Sequence, residues 1–220
     1  MRFIVGKDAQ LIKRKLEIVS TTMDFSSVFS KAADHSISTL YSQLGDKEAK
    51  LQKARFELNE YKRSNDIEEL TKELENLYVE EFVLEQEVLV VQEQLTALME
   101  MSVVALYKSY ELKLKELATI SFPESGIDKV FKWDQLVKYY KKHNIKFTEL
   151  PGYEEADQLR IVNNNIKHGD SIREDVRKIE EFSGTSRFTF ESLNNFYRRV
   201  ESDVTGHLSQ LSTAVVSELF

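Results

Sequence analysis

The sequence predicts an all-α protein: a helical bundle from which a long antiparallel coiled-coil hairpin extends. Three observations predict this. Charged residues make up 30% of the 220 residues, and only two prolines and seven glycines interrupt them, a composition that favours long amphipathic helices and leaves strands little room. Apolar residues recur at steps of three and four through the first half of the chain, the spacing of a coiled-coil seam. The second half breaks into shorter periodic stretches separated by proline and glycine. An N-terminal helical segment at 1–36, the hairpin at 37–98 and the bundle at 99–220 follow from these patterns.

Leu11, Ile12, Leu16, Ile18 and Val19 give the first segment an amphipathic start. The hydroxyl-rich S-T-T-M-D-F-S-S-V-F-S then weakens the helix, with Phe25, Val28 and Phe29 as apolar anchors. From Ile37 a seam runs through Leu40, Leu44, Leu51, Ala54, Leu58 and Tyr61, broken only at Lys47. After K-R-S-N-D it resumes through Ile67, Leu70, Leu74, Leu77, Leu84, Val88, Val91, Leu95 and Leu98, with Ser64 or Asn65 as the expected N-cap. So short a polar turn folds the two seams back on each other and sets Leu58 near Leu70, Leu44 near Leu84 and Leu40 near Val88. Phe82, Val83, Leu89 and Val90 add apolar positions beside the seam, which calls for a second covering neighbour there.

Between Met99 and Ile120 the second helix is expected to enter the bundle, and S-F-P-E-S-G at Ser121 stops it. Val130 to His143 reads as a helix with Trp133, Leu136, Val137 and Tyr140 inward, and Asn144 to Gly152 as a loop. Tyr153 to Lys167 forms the next helix, closed by Gly169 in a left-handed cap. Ser171 to Phe182 forms another, with Ile172, Val176 and Ile179 on one side. Thr189 starts the last, whose stripe is Leu193, Phe196, Val200, Val204, Leu208 and Leu211.

Without cysteine, neither disulfides nor thiolate metal sites are available. The four histidines are scattered, and no phosphate-loop, dinucleotide or serine-hydrolase signature occurs, so no metal and no cofactor is expected. Glu80 and Glu81 pair as carboxylates only on a coiled-coil helix, where they serve solvation or register. The net charge of −7 opposes general nucleic-acid affinity, yet acid concentrates between Glu57 and Glu100 while Lys129 to Lys146 is lysine-rich. That block faces phosphate or, more simply, is the solvated end of a helix. M-R-F-I-V-G-K-D is too soon charged for a secretion signal and no eighteen consecutive apolar residues occur, so the expected compartment is the cytoplasm, away from membranes.

The chemistry concentrates in L-R-I-V-N-N-N-I-K-H-G-D at Leu159 to Asp170. Leu159, Val162 and Ile166 suit a core, which leaves Arg160, Asn164, Lys167 and His168 on or beside another face. With K-W-D-Q-L at Lys132, L-P-G-Y at Leu150 and F-T-F-E-S-L at Phe188, this segment resembles the HEPN superfamily from about Trp133 to the C-terminus. These are all-helical domains that include metal-independent ribonucleases and non-catalytic relatives. In active members an arginine precedes a histidine by four to six intervening residues. Here seven separate Arg160 from His168, and a four-residue gap would place the arginine at Asn163.

The resemblance implies a homodimer and RNA as substrate, in a protein of the toxin or phage-defence type. His168 would move the proton as the catalytic acid and base and Arg160 would hold the phosphorane, with Asn163, Asn164 and Lys167 binding substrate. On a regular helix Arg160 and His168 lie two turns and about 80° apart, so they meet only if the helix end unwinds or two protomers combine. The structural alternative pairs Arg160 with Asp157 or Glu154, spends the asparagines on caps or a dimer contact, and bonds His168 to a carbonyl. The chain then becomes a non-catalytic module that recruits a partner protein through its coiled coil.

Overall fold

Three-and-four apolar spacing becomes helix along nearly the whole chain. The computed structural model describes residues 2–23, 28–64, 71–123, 126–127, 130, 132–169 and 171–220, with side chains left out at 2–8, 23 and 28–32. Among them are seven α-helices and no strand: α1 (Arg2–Met23), α2 (Val28–Ser64), α3 (Lys72–Ser121), α4 (Trp133–Lys142), α5 (Tyr153–His168), α6 (Glu174–Arg177) and α7 (Phe190–Leu219). Contacts divide the chain into two units, Ser30–Met99 and the remainder, so residues 1–29 belong with the C-terminal helices instead of standing apart.

In the Ser30–Met99 unit the seam is buried at Leu44, Leu51, Ala54 and Leu58 on α2 and at Leu74, Val88, Val91 and Leu95 on α3. Ion pairs border it: Lys47 Nζ lies 2.6 Å from Glu87, and Arg55 lies 3.0 Å from both Glu81 and Glu85. The break at Lys47 and the polar position at Glu81 are thus used as charged pairs. The register differs from the expected one, in which Leu44 opposite Leu84 would set Lys47 level with Glu81. The cause is the position of the turn: α2 continues through Ser64, whereas α3 opens only at Lys72. Thr71 caps α3, its Oγ1 accepting Leu74 N–H at 3.2 Å while also bonding Tyr61 Oη at 2.8 Å. Ser64 therefore ends a helix instead of starting one; the expected cap Asn65 and seam positions Ile67 and Leu70 lie outside the described residues.

Among the described residues nothing in the chain supplies the second cover expected over Phe82, Val83, Leu89 and Val90. Phe82 is 61% exposed and Val90 51%, because α2 occupies the opposite side of α3. Although no eighteen consecutive apolar residues occur, α3 also carries a window apolar enough to cross a membrane by length and composition. A third of it (33%) is buried within the protein, and core helices pass the same test.

In the other unit α3 buries Val103, Leu106, Tyr110, Leu114 and Leu117, a continuation of heptad spacing into a core position. The α7 stripe from Leu193 to Leu211 is fully buried against it and its neighbours. α1 packs on α7, where Thr22 Oγ1 meets Ser212 Oγ at 3.3 Å. Its buried face is Ile18, Thr21 and Thr22, whereas Leu11, Ile12 and Leu16 point outward, contrary to the amphipathic start read from the sequence. Arg14 turns inward instead, donating to the Ser121 carbonyl at 2.7 Å. Phe25 lies outside the described residues, as do the side chains of Val28 and Phe29.

The span Ser171 to Phe182, expected as one helix, contains a four-residue helix and a 3-10 turn at Glu180–Phe182. Extended backbone at Arg173 and Ile179 interrupts it, yet Ile172, Val176, Ile179 and Phe182 all remain buried.

Candidate functional site

α5 starts at Gly152 and owes its placement to it. Gly152 has φ 83°, a left-handed conformation that side chains rarely adopt, and a Cβ there would collide with the Asp203 carbonyl of α7. The L-P-G-Y segment is therefore a backbone seat. Glu154 and Glu155 follow in the first turn and Lys167 and His168 stand in the last, each charge suited to its pole of the helix. Ala156, Leu159 and Val162 face the core, and Asn163 and Asn165 are buried with them.

Trp133, Tyr153 and Arg160 come together at the start of α4. The Trp133 ring stacks on Tyr153 at 6.1 Å and meets Phe147 edge-on at 5.7 Å, while the Arg160 guanidinium carbon lies 5.8 Å from the ring centre. Arg160 Nε donates to Asp157 Oδ1 at 2.8 Å, one turn earlier on α5, and the side chain is 26% exposed. Tyr107 sits close enough to feel these charges: burial and then Glu111 push its phenol up to about 12, with Arg160 acting in the opposite sense. The crevice beside them, between Tyr107, Glu111, Lys132 and Trp133, holds about 10 Å³.

Asn163, expected to bind substrate, is 1% exposed and sits with the core face of α5. Its Nδ2 donates to Asn164 Oδ1 at 3.3 Å, and its Oδ1 finds no partner. Asn164 is half-buried. Asn165, which sequence reasoning did not separate from its neighbours, does the most. Its Nδ2 donates to the Ser171 carbonyl at 3.0 Å and its Oδ1 accepts Arg173 N–H at 2.8 Å. These bonds lock the turn after α5 and explain why no helix continues through Ser171.

Gly169 belongs to that turn for room, not handedness. Its φ of −119° is extended, correcting the expected left-handed cap. A Cβ would run into the Asn165 amide and carbonyl.

His168 and Lys167 end α5 exposed, and His168 makes no hydrogen bond among the described residues. Eight positions separate His168 from Arg160, roughly 12 Å along the axis. The helix stays regular through His168, so the unwinding that would bring the two together within one chain is not seen.

Two functional-looking groups lie elsewhere. His207 is fully buried, with Nδ1 2.9 Å from Tyr110 Oη and Nε2 3.3 Å from the Phe147 carbonyl. Burial lowers its pKa to about 4, and the Phe147 carbonyl only partly offsets this. Arg199 forks onto Glu181 at 2.6 and 3.1 Å and reaches Gln158 at 2.8 Å, tying α5 and α7 to the 3-10 turn. Burial raises the Glu181 carboxyl, but the Arg199 bonds prevail and hold it below the ordinary range. The sequence reading left His207 out of the α7 stripe, although its spacing, three after Val204 and four before Leu211, is the signal that would have found it. Nothing local marked Arg199.

Among the described residues no three histidine, cysteine, aspartate or glutamate side chains gather as a metal site. No protein-family model, curated protein or solved structure matches the chain.

Proposed function

We propose that the chain is a non-catalytic, HEPN-like helical module whose helices α2 and α3 form an antiparallel hairpin that recruits a partner protein, such as a nuclease or ATPase effector. The observation that carries this reading is the disposition of the two groups a ribonuclease would need. Arg160 is engaged by Asp157 and lies against the Trp133 ring, while His168 stands exposed at the far end of the helix. The asparagines between them serve the fold, Asn165 above all. Support for the hairpin comes from its cross-helix bonds, in which ascending positions Lys47, Arg55 and Tyr61 meet descending positions Glu87, Glu81 and Thr71. The uncovered apolar side of α3 supports recruitment.

Incubating the pure protein with RNA at several pH values without metal tests the reading. Intact RNA is the expected result. Cleavage that His168→Ala abolishes, with helicity and oligomeric state unchanged, would overturn it.

A second reading, action on RNA by a homodimer, draws on one observation: Lys167 and His168 are exposed together at the end of α5. Two such ends brought together could assemble a basic site that one chain lacks. Dimer-dependent cleavage lost in both Lys167→Ala and His168→Ala would favour it.

A further inference from the structure

The most prominent uncovered feature of the Ser30–Met99 unit is a second seam on α3. Val79, Val83, Gln86, Val90, Glu93 and Ala97 follow one another at steps of four, three, four, three and four, the spacing that meets another helix. It is displaced by more than a third of a turn from the buried seam through Val88, Val91 and Leu95 that α2 covers. Val79 is 56% exposed, and Leu89 broadens the apolar strip on one side. On the other side Phe82, Val83 and Val90 line a groove of about 430 Å³ whose far wall is Gln43 and Lys47 of α2. Five large apolar side chains over three turns form a patch on the order of a few hundred Å², the size that marks an interaction surface.

Charge identifies the occupant. From Lys72 to Met99, α3 carries seven glutamates and a single lysine, Lys72. Glu81, Glu85 and Glu87 are bonded to Arg55 and Lys47. Glu75, Glu80 and Glu93, which edge the strip, have no ion pair among the described residues. A second α3 laid parallel on this strip would set Glu75 and Glu93 against their own copies. Laid antiparallel about Gln86, it would press Glu93 onto Val79. Both arrangements desolvate carboxylates without a counter-charge.

We propose that this strip receives one amphipathic helix of a partner protein, with branched aliphatic residues at heptad spacing and lysine or arginine at the flanking positions that meet Glu75, Glu80 and Glu93. The proposal rests on the recruitment reading above and names its surface and its partner's chemistry. The partner helix lies in the groove beside Lys47 as the third strand of a coiled coil, with five turns of contact between Val79 and Ala97. Its basic flank supplies the charge that α2 does not.

Two synthetic 21-residue peptides test this on the full chain by fluorescence anisotropy. They share a leucine and isoleucine seam and differ only in carrying lysine or glutamate at every flanking position. The lysine peptide is expected to bind at least tenfold more tightly than the glutamate peptide, with affinity falling as salt rises. Val83→Ser with Val90→Ser, which leaves the charge unchanged, should weaken binding at least tenfold, and Glu75→Lys with Glu93→Lys should invert the preference. Equal binding of both peptides, or lysine-peptide binding untouched by the serine pair, would overturn the proposal. So would a dimer of the chain, or its partition onto phosphatidylglycerol vesicles, that the serine pair abolishes, since the occupant would then be a second copy or a lipid surface. An RNA-cleaving protein that still binds the lysine peptide at the strip would instead overturn the non-catalytic reading alone.

Discussion

The two units spend their side chains in opposite ways. Around α5 and α7 the polar groups are consumed internally: Asn165 holds a turn, Arg199 joins three segments, and His207 is sealed between Tyr110 and Phe147. Along α2 and α3 some charges pair at the surface, Arg55 with Glu81 and Glu85 among them, while apolar side chains such as Phe82 and Val83 stay in solvent. A surface whose polar groups are already bonded to one another offers little to a ligand, whereas exposed apolar area is an unmet opportunity for burial. The contrast moves the search for function from the asparagine-rich segment to the α3 strip.

Core truncation gives the largest test of this contrast. Leu114→Ala, at a fully buried α3 position, should cost about 2–5 kcal/mol in chemical denaturation. Acid should act nearly as strongly through His207. Its pKa is about 4 when folded and 6.5 when free, so above pH 6.5 it is neutral in both states and contributes no pH dependence. Between pH 6.5 and 4 the unfolded chain takes up a proton that the folded chain refuses, so stability falls with pH by roughly 3 kcal/mol in total. Thermal melts across that window measure it, and His207→Gln should flatten this part of the slope. A melt as steep in His207→Gln as in the parent would assign the loss to other groups.

A smaller effect is expected where Asn165 anchors the turn. Asn165→Ala leaves Arg173 N–H and the Ser171 carbonyl without their partner and should cost about 1–3 kcal/mol, read from the denaturation midpoint. The smallest belongs to the strip: Val83→Ser, 48% exposed, should stay within about 0.5 kcal/mol of the parent. A loss comparable to that of Leu114→Ala would show that Val83 is covered in solution and would erase the contrast between the units.

Periodicity made the helices legible because burial of one face repeats locally. The seam from Leu44 to Leu58, the α7 stripe, and the Thr189 cap, whose Oγ1 accepts Ser192 N–H at 3.2 Å, all follow from neighbours within a few positions. What escaped the sequence depends on distant partners. Ser171 to Phe182 has helical spacing, but two bonds from Asn165 on the preceding helix override it. Ser64 ends α2 instead of capping the next helix, and Thr71 caps α3, a position the sequence reading did not single out. Apolar spacing beside the seam called for a second neighbour over Phe82, Val83, Leu89 and Val90, but local pattern cannot say whether the same chain supplies it. In the candidate site the Arg160 to Asp157 pair was readable from its three-residue spacing, whereas the burial of Asn163 and the work of Asn165 required knowing which face of α5 meets α7.

Gly152 sets a rule for how this protein can drift over generations. Because α5 meets α7 there through main-chain atoms, the spacing of the two axes is written into an absent methyl group and not into the identity of residue 203. Asp203 is free to change to almost any helix-compatible residue without disturbing the geometry, while position 152 tolerates no replacement that keeps both the turn and the approach. Lineages of this fold should therefore diverge around a fixed point that is itself nearly featureless.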